Sequence, residues 1–244
     1  MTKNILLALL FLATSTKTFA HFLWLETNPT GKVIQKQEVK IFYGEYADGS
    51  KEKVGGEAFE KMKNFTLWAV SPSGEKTELK VEASDLYYKT SFTPKMNGTY
   101  TLILDNNKID VMDYSQYNFG IFKTHYHALT KVEIGTKPND TKALNPEGIS
   151  IVDLSKKVAT LKGEVSLQVL YKGEPMAKKE VDVFIADSWI KKITTDEKGM
   201  ITFALPWNAQ YVVEVTHKEE VPGKYNGKDY EFIFHSTSYA IPLK

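Results

Sequence analysis

The chain has 244 residues, no cysteine, 31 basic against 30 acidic residues, and a formal net charge of +1. The missing cysteine excludes disulfides, thiolate metal sites and a cysteine-linked lipid anchor. Every basic residue is lysine, and a near-neutral chain without the guanidinium fork is a poor partner for nucleic acid.

Residues 1–20 read as a signal peptide. Lys3 supplies a positive start, ILLALLFLA at 5–13 is an apolar run too short to span a bilayer, and Thr18-Phe19-Ala20 brings small residues to a cleavage point. Cleavage after Ala20 makes His21 the first residue. It also removes Lys3 and Lys17, taking the formal charge from +1 to −1. No other long apolar run follows, so the expected mature chain is exported, periplasmic and without a membrane span.

Strands are expected at 22–26, 38–43, 65–70, 86–92, 99–104, 117–122 and 125–134. Turn formers separate them, such as SPSG at 71–74, NG at 97–98 and DNN at 105–107. Residues 50–63 read as a loop with a short helix, because Gly55-Gly56 weakens a longer one. TKPNDTKALNPEG then breaks the pattern and opens a connection placed at 136–158. A second set of strands follows at 165–171, 181–185, within TTDEKGMITFALP at 194–206, at 211–215 and at 232–241. The expected fold class is all-β. It has two antiparallel β-sandwiches in tandem, immunoglobulin-like or transthyretin-like, at 21–135 and 159–244, each with its own core.

Nucleophilic catalysis finds no support: there is no G-x-S-x-G elbow and no Gly-rich phosphate loop between a strand and a helix. The mature chain has five histidines, His21, His125, His127, His217 and His235. The α-amine and Nδ1 of an N-terminal histidine can chelate a late divalent metal, nickel and copper above all. FLWL after His21 would hold that amine on a rigid strand. In KTHYHAL, His125 and His127 fall on one face of a strand while Tyr126 points the other way. Two such imidazoles form a common partial metal site. A solvated strand face explains the pair equally well, and His21 joined to them makes a three- or four-nitrogen site. His217 reads as a strand-end histidine. His235, in phase with Tyr239, reads as a partly buried one that serves a site only if its strand packs near the N-terminus. Glu45, after a strong strand, is a possible oxygen ligand, though a solvated turn explains it as well.

The segments AHFLWLE (20–26), GTYTLIL (98–104), THYHALTKVEIG (124–135), YKGEPMAKKEVDVF (171–184), TTDEKGMITFALP and HSTSYAIPL (235–243) resemble an exported bacterial family known mainly as a domain of unknown function. Its members are described as periplasmic components of nickel or cobalt uptake that work with energy-coupling-factor transporters. From Tyr171 onwards the chain is similar to transthyretin-like or carboxypeptidase-regulatory modules. The resemblance implies two β-sandwiches and a metal site that uses His21, with His125 and His127 on a histidine-bearing strand. Where relatives carry Gly-His, this chain has Gly44-Glu45, so Glu45 would substitute an oxygen ligand.

The expected function is that of a non-enzymatic periplasmic protein that binds Ni²⁺ or Co²⁺ and delivers it to a membrane-embedded importer. The metal residues would be His21, His125, His127, His235 and Glu45. A periplasmic histidine-brace carrier of Cu²⁺ is one alternative. A metal-free binding or adhesion scaffold is the other.

Overall fold

A computed structural model describes residues 21–135, 145–155, 158–186 and 189–244. The signal peptide read at 1–20 lies outside these residues, as do 136–144 and 156–157 of the connection read at 136–158; the rest is not plain connection, because Ile149–Asp153 form a buried strand.

The first half forms β1 (Phe22–Thr27), β2 (Thr30–Gly31), β3 (Gln37–Gly44), a helical turn α1 (Glu57–Glu60), β4 (Thr66–Val70), β5 (Lys76–Glu78), β6 (Glu82–Ala83), β7 (Tyr88–Phe92), β8 (Gly98–Asn106), β9 (Met112–Asp113) and β10 (Ile121–Ile134). The second forms β11 (Ile149–Asp153), β12 (Glu164–Tyr171), β13 (Glu174–Pro175), β14 (Glu180–Ile185), β15 (Trp189–Thr194), β16 (Met200–Ala204), β17 (Tyr211–Glu219), β18 (Gly223–Tyr225), β19 (Lys228–Tyr230) and β20 (Phe232–Ala240). The all-β expectation holds. The strands expected at 117–122 and 125–134 are one strand, β10. Its start is set by Asn118 at φ 58° and Gly120 at φ 99°, which turn the chain sharply just before Ile121.

The two halves share a sheet. A ten-stranded sheet has the path β15-β14-β17-β20-β10-β8-β4-β5, with β2 and β9 also paired to β10. The halves meet where β10 and β20 run parallel, with His125 opposite His235 and Leu129 opposite Tyr239. Smaller sheets cover its two faces, β1-β3-β7-β6 on one and β11, β12, β13 and β16 on the other.

Side-chain alternation assigns each residue of the shared sheet to one of two cores. Leu102, Ala128, Phe184, Val212 and Ala240 point into the core under β1 and β3. Their neighbours Ile103, Leu129, Val183, Val213 and Tyr239 point the other way, into the core under β11 and β12. The second core therefore draws Ile103 and Leu129 from the first half of the chain. A strand buried on both faces reads as a nearly continuous apolar run, as in ALTKVEI and YVVEV.

Strand β1 is an edge of its sheet, yet Phe22, Leu23, Trp24 and Leu25 are buried. An unpaired edge leaves carbonyls without partners. Here the shared sheet supplies them: Tyr126 donates to the His21 carbonyl at 3.1 Å and Ser238 Oγ donates to the Leu23 carbonyl at 2.6 Å. At the far end of β3, a Cβ on Gly44 would lie 2.2 Å from the Ser50 carbonyl oxygen. The turn into Glu45 therefore requires glycine.

Glu214 faces the β1 side of the shared sheet and is 4% exposed. It accepts a hydrogen bond from Ser236 Oγ at 2.7 Å. Burial, helped by Asp182 and Glu45, pushes its carboxyl up to about 8 against the opposing Ser236 bond. A folded pKa above the unfolded one means stability that is complete below about 4.5 and is lost as pH rises through 8. The Glu214→Gln variant keeps the shape without the charge. Denaturant titrations should find it close to wild type at pH 4.5 and clearly more stable at pH 9. Parallel pH–stability curves for the two proteins would contradict this assignment.

Candidate metal centre

The register between β8 and β10 builds the site. Ile134 lies opposite Gly98 and Lys131 opposite Thr101. Continued along the strands, that register brings His127 level with Asp105, which is still within β8 and opposite Thr66 of β4. Alternation then puts Asp105, His125 and His127 on the face that carries Ile103 and Leu129. This is the face covered by β11: Thr237, opposite His127, reaches the Ile149 carbonyl at 3.3 Å, and the His125–His235 rung comes next. The three side chains thus stand at the margin of the second core, dry on one side and open on the other.

Their donor atoms converge. His125 Nε2 lies 3.1 Å from Asp105 Oδ1, His127 Nε2 lies 3.3 Å from the same oxygen, and the two Nε2 atoms are 3.1 Å apart. Among the described residues, Asp105, His125 and His127 are the group of potential ligands whose donor atoms gather in this way. A tetrahedral ion with bonds of about 2.0–2.1 Å holds its ligand atoms about 3.3 Å apart. The triangle therefore has nearly the dimensions of one face of a metal's coordination shell. Each Nε2 can donate to Asp105 Oδ1 or, in its other tautomer, turn a lone pair toward the centre; an ion would take the second tautomer of both rings. Side-chain exposure is 8% for His127, 13% for His125 and 35% for Asp105, so the centre opens to solvent past the carboxylate.

The electrostatics suit a cation. Burial, reinforced by His125, lowers the His127 imidazole to about 3, which keeps it neutral and able to ligate. Burial pushes Asp105 up, but the His125 hydrogen bond and the two imidazoles outweigh it, and the carboxyl sits below its usual range. Behind the triangle, His127 Nδ1 is buried with no hydrogen-bond partner among the described residues. A cavity of about 20 Å³ adjoins the ring, lined in part by Asn145, Ser150 and Thr101. It is large enough for one water.

The structure brings together His125 and His127 but not His21, His235 or Glu45. Tyr126, whose side chain leaves β10 on the opposite face from its two histidine neighbours, is the residue that touches the His21 carbonyl. His21 is therefore across the shared sheet from the triangle. Its Nε2 lies 3.0 Å from Glu52 Oε1 and its ring 5.5 Å from that of Tyr43. A joint site of His21, His125 and His127 is not formed, because a sheet separates them. Glu45 follows β3 on the β1 side, where its charge acts on Glu214. His235 lies on the correct face with its ring 5.4 Å from His125, but its Nε2 engages Glu219 at 3.0 Å.

Asp105 is the potential ligand that sequence reading missed. DNN at 105–107 looks like a turn, and Asp105 is in fact the penultimate residue of a strand. Antiparallel alignment of GTYTLILD with THYHALTKVEIG would have set the carboxylate level with the H-x-H pair.

A family model described as "Domain of unknown function (DUF4198)" matches residues 18–219. No curated protein matches the chain. Among solved structures, a marsupial T cell receptor is similar at 8% identity and a TM-score of 0.28, over 92% of this chain and 74% of its own. At that score the likeness says nothing about this chain.

If His127 is held neutral by burial, its ring resonances, assigned by comparison with His127→Gln, should stay fixed between pH 8 and pH 5 in the metal-free protein. A full titration near the ordinary imidazole value of about 6.5 would contradict this.

Proposed function

The chain belongs to the DUF4198 family, and from that premise and the site's geometry we propose that it is an exported, non-enzymatic carrier of a late divalent metal ion. The observation that carries this reading is the triangle of Asp105 Oδ1 and two imidazole Nε2 atoms with edges of 3.1–3.3 Å. Two nitrogens and one oxygen form a set of borderline hardness that suits nickel, cobalt, copper or zinc rather than calcium or magnesium. The triangle supplies three protein ligands and leaves the solvent side for a further ligand from water or from a receiving protein. An open, accessible position suits an ion that must be released. Delivery to a membrane-embedded importer, with nickel or cobalt as cargo, agrees with the resemblance noted in the sequence and with the leader at 1–20. Affinity alone will not identify the cargo, because copper binds most tightly at almost any such nitrogen site.

The test is a calorimetric titration of Ni²⁺, Co²⁺ and Cu²⁺ into protein whose first residue is verified as His21. His127→Gln should weaken the tight ion by at least ~100-fold, beyond the cost typical of an outer-shell partner. One extra glycine before His21 should change nothing, because the amine is on the other side of the sheet. With His127 and Asp105 already deprotonated, binding between pH 8 and pH 5 should release at most one proton per ion. Tight binding that survives His127→Gln, or that the glycine abolishes, would defeat the proposal.

A further inference from the structure

A second group with the same donor composition lies one strand pair away on the same face. His217 and Glu219 of β17 alternate in phase with Val213 and Val215, which face the β11 side. Cross-strand pairing sets His217 opposite His235 and His235 opposite His125. One rung of the sheet thus carries three histidines in a row, with ring centroids 6.4 Å apart from His217 to His235 and 5.4 Å from His235 to His125. Each end of the row has a carboxylate, Asp105 at one and Glu219 at the other. The first group is two imidazoles and an aspartate; the second is two imidazoles and a glutamate.

The second group is partly assembled. His235 Nε2 and Glu219 Oε2 are 3.0 Å apart, close to the spacing within the triangle. The Lys172 ammonium sits against the other oxygen of the same carboxylate, Glu219 Oε1. Burial pushes Glu219 up, but Lys172, His235 and Tyr171 hold its carboxyl down at about 2. His235 is 2% exposed, and its Nδ1 is buried with no hydrogen-bond partner among the described residues. When Nε2 gives up its hydrogen to ligate, Nδ1 is free to carry one, and the imidazole remains neutral. His217 is half-buried against the Tyr171 ring at 4.3 Å. With tetrahedral bonds of about 2.0–2.1 Å, two imidazoles on one ion have centroids about 5.2 Å apart, so from 6.4 Å His217 must swing about 1 Å toward His235 to share an ion held by His235 and Glu219.

We propose that His217, His235 and Glu219 form a second, weaker position for a late divalent cation, where the arriving ion displaces Lys172. An ion there stands beside the triangle, with His125 between them. This shares with the proposed function the class of ion but not the site.

The experiment is a titration of Co²⁺ into the full chain beginning at His21, followed past one equivalent by calorimetry and visible absorption. Wild type should take a second, weaker equivalent. His217→Ala should lose that equivalent and keep the first, with an unchanged melting temperature showing intact folding. Lys172→Ala, at a side chain 45% exposed, should tighten the second equivalent about two- to fivefold, the scale of one exposed ion pair. Asp105→Asn should weaken the first and leave the second. A second equivalent indifferent to His217→Ala would overturn the inference. So would a single equivalent in both wild type and Lys172→Ala. Loss of the first equivalent alone would count against the triangle, not against this position.

Discussion

The parallel pairing of β10 with β20 is the contact on which the rest of the structure depends. It joins strands 110 positions apart in sequence, as in His125 opposite His235, and fuses two sets of strands into one sheet. A sheet covered on both faces has no solvent side. At the centre of the sheet each residue must then satisfy one core or the other, and a one-residue slip would send those side chains to the wrong core. The tight alternation of Ala128, Leu129, Ala240 and Ile241 between the two cores reflects that constraint.

The same constraint makes the polar face possible. Where β11 covers the sheet, the inward positions are apolar or satisfied, as with Tyr239, whose hydroxyl donates to Asp153 at 2.7 Å. Next along these strands the chain places imidazoles and carboxylates on adjoining rungs. They are dry enough for burial to hold His127 neutral, yet Asp105 remains open to water. A site deeper in the core would trap an ion, and one further out would leave the imidazoles free to protonate.

Much of this was legible in the residues. Strand periodicity gave the longer strands apart from β11 and β15 and missed the short ones, and the i, i+2 rule placed His125 and His127 on one face with Tyr126 on the other. That alternation also separates His21 from the pair, since the residue that reaches His21 is Tyr126. The sharing of one sheet between halves was not legible, because the pairing of 121–134 with 232–240 is a long-range register that no local pattern encodes. Asp105 was hidden for a related reason. A carboxylate beside two asparagines looks like a turn until the neighbouring strand shows what stands opposite. His235 and Glu45 were read as candidates by type. Their faces and partners, Glu219 for one and the Glu214 neighbourhood for the other, depend on packing.

The central claim is that the ion is held on the shared sheet by Asp105, His125 and His127, and not at the N-terminus. X-ray absorption at the cobalt edge, on protein loaded with one equivalent of Co²⁺, tests it most directly. The account predicts a shell of nitrogen and oxygen ligands with two imidazoles. One of them should disappear in His127→Gln, and the spectrum should be unmoved by a glycine placed before His21. A spectrum that ignores His127→Gln and changes with the added glycine would contradict it.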